Sequence, residues 1–150
     1  MLSNQPHNIL VSRGRLKLAD FGLSKTLTLP MAPLTREVVT LWYRPPEVLM
    51  GLTSEYTSAI DVWSAAVVYV EMGQGKAPFR ASSEGAMLRA IHMEFGPPVG
   101  WPTAPPPPPV PHTPALVLPR VVRAMFALNP ANRPSFEEVL IGMGGSLGNI

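Results

Sequence analysis

Asn8 and Asp20 place a side-chain amide and a carboxylate twelve residues apart, and Asp20 opens the tripeptide Asp20-Phe21-Gly22 directly after a short apolar segment. A carboxylate at a strand end with an amide oxygen nearby suits Mg²⁺, a hard ion that prefers oxygen ligands and takes the rest from water and phosphate. Such a tripeptide has little specificity alone. Other charged residues stand in distinctive settings: Glu47 after Pro45-Pro46, Asp61 at the start of an apolar run, and Arg133 between Asn132 and Pro134. Competing metal chemistries find no support, because there is no cysteine and the three histidines, His7, His92 and His112, lie too far apart to suggest a ligand cluster.

The elements that must position these residues follow from periodicity. Asn8-Ile9-Leu10-Val11 and Leu16-Lys17-Leu18-Ala19 flank Ser12-Arg13-Gly14-Arg15, where Gly14 can supply a positive φ, so the spacing predicts a small β-hairpin. From Asp20 to about Glu47 there is no sustained period and four prolines intervene, which predicts a long irregular segment of the kind usually retained for function. Thr57 to Met72 is apolar on nearly all sides, with Thr57 or Ser58 able to cap its start and Gly73 and Gly75 to end it. A helix apolar all round belongs inside a core, and this run is short for a bilayer and carries Asp61 and Glu71. Met87, Leu88, Ile91 and Phe95 predict an amphipathic helix over Ser83 to Phe95, and Val121, Val122, Met125 and Phe126 predict another over Arg120 to Leu128. Ser135-Phe136-Glu137-Glu138 has the form of a capping box and predicts a last helix ending near Gly142.

Composition bounds the same picture. A chain of 150 residues, 46% of them hydrophobic, can bury one core, so one domain over 1–150 is expected. A formal charge of +2, with basic residues scattered singly, points away from nucleic acid and anionic membranes as partners. The opening MLSNQPHN lacks a basic segment followed by an apolar stretch, so an intracellular location, cytoplasm or nucleus, is the expectation.

Taken in order, Pro6-His7-Asn8-Ile9-Leu10, Asp20-Phe21-Gly22, Pro46-Glu47, Asp61-Val62-Trp63-Ser64 and Asn132-Arg133-Pro134 resemble the C-terminal lobe of a eukaryotic protein kinase, in that family's order and spacing. Glu37-Val38-Val39-Thr40-Leu41-Trp42-Tyr43-Arg44 and Asp20-Phe21-Gly22-Leu23 are similar to the cyclin-dependent kinases, which are proline-directed serine/threonine kinases. The resemblance implies a mainly α lobe with a small β-hairpin and about four main helices, the N-lobe being absent from these residues. It implies that Asn8 and Asp20 hold Mg²⁺ and that Leu10 and Asp20 contribute to the ATP site, Leu10 as floor beneath the adenine, although core packing would also satisfy that leucine. It places Thr35 at the activating phosphothreonine and Thr40 at the threonine that bonds the catalytic aspartate and lysine. Val39 and Arg44 match the pair shaping the pocket for the proline after the target residue. Glu47 and Arg133 match an ion pair tying the activation segment to the helical core, and Asp61 matches the aspartate that accepts backbone N–H groups of the catalytic loop. Protein substrates and a cyclin-like subunit are the partners implied.

The pattern breaks at its most chemical point. Counting back from Asn8 puts Ser3 at the catalytic aspartate position, Gln5 at the catalytic lysine position and Leu2 at the arginine that pairs with the activation-loop phosphate. Of that phosphate's usual basic partners only Lys25 has a counterpart. A serine hydroxyl carries no charge at neutral pH and is a poor substitute for the base that orients a substrate hydroxyl. The 150 residues also leave no room for a glycine-rich loop, a phosphate-gripping strand lysine or its helix glutamate. A copy cut off at the catalytic loop, or wrongly started, and inactive by itself is therefore the expectation, with weak or absent ATP binding; the alternative is a pseudokinase-like binding module. Ala66 is a smaller departure, standing where the family usually has glycine.

Of 19 prolines, 11 fall between Pro97 and Pro119, where the resemblance fades. This stretch, 97–119, reads as an insert within the domain. Pro105 to Pro109 would form a polyproline II rod, a ligand type for WW, SH3 or EVH1 domains. A stiff surface linker satisfies the same composition, and no basic residue flanks the run closely to orient an SH3 domain.

Overall fold

A computed structural model describes residues 6–19, 41–52, 57–97 and 116–145. Its elements in order are a 3-10 turn at Pro6–Asn8, strands β1 (Ile9–Ser12) and β2 (Arg15–Leu18), a 3-10 turn at Leu41–Tyr43, helices α1 (Pro46–Leu49), α2 (Ala59–Gln74), α3 (Glu84–Phe95) and α4 (Arg120–Met125), a 3-10 turn at Pro130–Asn132, and α5 (Phe136–Gly142).

β1 and β2 pair antiparallel, Ile9 opposite Leu18 and Ser12 opposite Arg15. Arg13 and Gly14 between them both have positive φ, 50° and 73°, the backbone that matches the right-handed twist of a two-residue hairpin loop. The Ala19 N–H donates to the Asn8 carbonyl at 2.8 Å and closes the open end. Apart from the half-buried Ile9, the paired residues are exposed.

α2 is the axis of the core. Val62, Trp63, Ala66, Val67 and Val70 are buried along it, against Met87, Leu88 and Ile91 of α3 and Val122 and Met125 of α4. Its apolar character on most sides is what central placement requires. Ser58 stands at the cap position but makes no side-chain cap hydrogen bond, whereas Gly75 ends the helix in the left-handed conformation at φ 72°, where a Cβ would be strained. Trp63 packs edge-on to Phe126 with centroids 5.0 Å apart, and Phe95 stacks on Phe126 at 5.1 Å. Each such pair adds about 0.5–1.5 kcal/mol beyond its buried area. Ala66 is fully buried in this packing.

The caps of α3 and α5 follow their sequences. Ser83 Oγ accepts from the Ala86 N–H at 3.3 Å. Ser135 and Glu138 form the reciprocal capping box, with the Ser135 N–H donating to Glu138 Oε2 at 2.7 Å. α4 is shorter than the apolar spacing predicts, ending at Met125. α1 lies where an irregular segment was expected to end; Pro46 at its first position has φ preset for a helix and no N–H to lose. Near the C-terminal end of the proline-rich stretch 97–119, Leu116 is buried in the core and its N–H donates to Glu94 Oε1 at 3.1 Å. Among the described residues no helix is long and apolar enough to cross a membrane.

Candidate functional site

Glu47 lies in the first turn of α1 behind two fully buried prolines, Pro45 and Pro46. Arg133 ends the turn Pro130–Asn132, which Asn129 caps by accepting from the Ala131 N–H at 3.0 Å. The fold joins these residues, 86 positions apart, in a two-pronged ion pair: Arg133 Nη1 donates to Glu47 Oε1 at 2.7 Å and Nη2 to Oε2 at 2.8 Å. Nη1 also donates to the Ala59 carbonyl at 2.9 Å, and Nε to the Ala127 carbonyl at 2.9 Å. The guanidinium sits 5.0 Å from the centre of the Trp63 ring and its side chain is wholly buried. One arginine thus ties α1, the start of α2, the segment after α4 and the central tryptophan together. Only a planar, permanently charged fork can make this set of contacts.

A cleft of about 730 Å³ opens over this pair, bordered by Ser58, Asn129, Ser135 and Glu138. Among the described residues its charged groups are already engaged, Glu47 with Arg133 and Glu138 in the α5 cap.

A second constellation surrounds the turn Leu41–Tyr43. Trp42 Nε1–H donates to the Ala81 carbonyl at 3.1 Å, and the Arg80 guanidinium lies 4.6 Å from the centre of the Trp42 ring. Arg44 approaches Glu84 at 3.7 Å, an exposed pair worth about 0–1 kcal/mol. The Tyr43 hydroxyl donates to Glu71 Oε2 at 2.6 Å. Burial first, then the bond to Glu71 and that carboxylate's charge, push the Tyr43 hydroxyl well above its ordinary value, while Arg80 opposes the shift. Sequence reasoning singled out Arg44 but missed Arg80, Glu84 and Glu71, because nothing in their spacing relates them to Trp42 and Tyr43.

The remaining candidates divide by position. Asn8 is buried at the foot of β1, beside Ala19, the residue preceding Asp20. Its amide oxygen is the donor type that Mg²⁺ prefers. Leu10 is 51% exposed on the hairpin, available as an apolar floor and not used as core. Asp61 sits in the first turn of α2, where its carbonyl accepts from Ser64 Oγ at 3.0 Å. Ser3, Gln5, Asp20, Thr35, Val39, Thr40 and the run Pro105 to Pro109 lie outside the described residues. Among those described, no group of three or more His, Cys, Asp or Glu side chains could hold a metal ion.

A profile of the protein kinase domain matches residues 5–141, from before Asn8 to beyond Arg133. The chain belongs to the protein kinase family. Over 96 residues it is 45% identical to the cell division control protein 2 homolog 3 of Trypanosoma brucei brucei, and equally to the cyclin-dependent kinase B2-1 of Arabidopsis thaliana, in each case across 63% of this chain and 30% of the relative. Its similarity is thus to kinases of the cyclin-dependent type, and it spans about 30% of the length of these curated relatives. The family in general uses ATP and Mg²⁺.

Proposed function

We propose that residues 1–150 are the C-terminal lobe of a protein serine/threonine kinase acting on Ser-Pro and Thr-Pro sites, and that on their own they transfer no phosphate. The observation that carries the lobe reading is the buried, two-pronged Glu47–Arg133 pair, which joins the Pro-Glu and Asn-Arg-Pro motifs and organises the helical core around them. In this reading Asn8 and Asp20 hold Mg²⁺, which neutralises phosphate charge when bound, and Leu10 supports the adenine of ATP. Asp61 anchors the catalytic loop, Thr40 bonds the catalytic pair, Thr35 receives the activating phosphate, and Val39 with Arg44 shapes the pocket for the substrate proline. Protein substrates, a cyclin-like subunit, and a location in cytoplasm or nucleus belong to the same proposal. So do the domain limits, one partial kinase domain over 1–150 with a proline-rich insert at 97–119.

Inactivity of the isolated polypeptide rests on Ser3 and Gln5 at the two catalytic positions and on the want, within these residues, of any group to grip the α- and β-phosphates. Positioning and electrostatic stabilisation supply most of the rate in phosphoryl transfer, and a single wall of a cleft gives neither. The deciding experiment compares two polypeptides. Ser3→Asp with Gln5→Lys in the 150-residue chain is expected to restore nothing. The same changes with Leu2→Arg, in a chain extended by a related kinase's N-lobe and supplied with its activating partner, are expected to phosphorylate a Ser-Pro peptide in a manner that depends on Asp20. Activity in the unextended variant would refute the account of inactivity, and failure of the extended one would refute the kinase assignment of these site residues.

A second reading, a pseudokinase-like module that binds partners through the helical lobe or the proline run, draws support from the Glu94 bond to Leu116, which anchors the returning end of the insert. Deleting Pro105 to Pro109 would then abolish capture by WW or SH3 domains without altering the melting temperature. No capture by the intact chain would leave those prolines a linker.

A further inference from the structure

We draw no further inference here: the strongest candidate, the exposed apolar face of the β1–β2 hairpin formed by Val11, Leu16 and Leu18, carries nothing because nothing in the structure shows what covers it.

Discussion

Substituting Glu47→Ala removes both carboxylate oxygens from the most buried charge in the described structure. Arg133 Nη1 keeps the Ala59 carbonyl and Nε keeps the Ala127 carbonyl, but Nη2 loses its acceptor among the described residues, Glu47 Oε2 at 2.8 Å. The side chain is wholly buried, and water reaches the stranded charge only through the cleft that opens over the pair. Breaking one side of a buried pair costs about 3–5 kcal/mol. A domain has only about 5–15 kcal/mol of stability in total, and at this size each kcal/mol moves the melting temperature by about 2–4 °C. The expected loss is therefore about 6–20 °C by calorimetry or circular dichroism. Removing both charges separates the stranded-charge penalty from lost packing: Glu47→Ala with Arg133→Met should be distinctly less destabilised than the sum of the single changes. Melting of Glu47→Ala within about 1 kcal/mol of the unmodified chain, or strict additivity in the cycle, would refute the claim that this pair holds α1 to the core.

Two further outcomes are expected. Tyr43 is held protonated in the folded state, its pKa raised above the unfolded value of about 10, so its contribution to stability is full below pH 10 and is lost as pH climbs beyond it; Tyr43→Phe should make the alkaline fall in stability shallower, as read by denaturant titrations across that range. Titration calorimetry of the 150-residue chain with Mg·ATP should show no binding at physiological nucleotide concentration, and micromolar affinity would contradict the view that Asn8, Leu10 and Asp20 need a facing lobe to hold nucleotide.

Local chemistry made part of this fold legible. The hairpin followed from two apolar runs around Gly14, and α5 from Ser135 and Glu138, because those signals act within a few residues and the backbone obeys them directly. α2 was readable because a run apolar on most faces has nowhere to go but the centre, and its termination needed a residue free to adopt φ 72° at Gly75. α1 escaped notice since four residues are too few for any period, and Pro45-Pro46 read as loop although Pro46 was in fact a helix start. Nor did sequence signals show that the Ser58 side chain would leave the α2 cap unmade, or that α4 would stop at Met125.

The site was legible by a different route. No spacing rule links residues 86 positions apart, so the Glu47–Arg133 pair could be named in advance only through the family's motifs, and those predict the pair but not what else the arginine does. Its bonds to the Ala59 and Ala127 carbonyls and its place over Trp63 arise from where α2 begins and α4 ends, which is tertiary information. The same holds for Trp42, whose indole is fixed by a carbonyl 39 residues away and stacked by an arginine that no periodicity singles out. Motifs therefore mark the charges that anchor the fold, while contacts such as that of Arg80 with Trp42 become visible only when distant segments are brought together. That is why the anchoring pair, whose bonds all lie within the helical core, can be tested by stability alone.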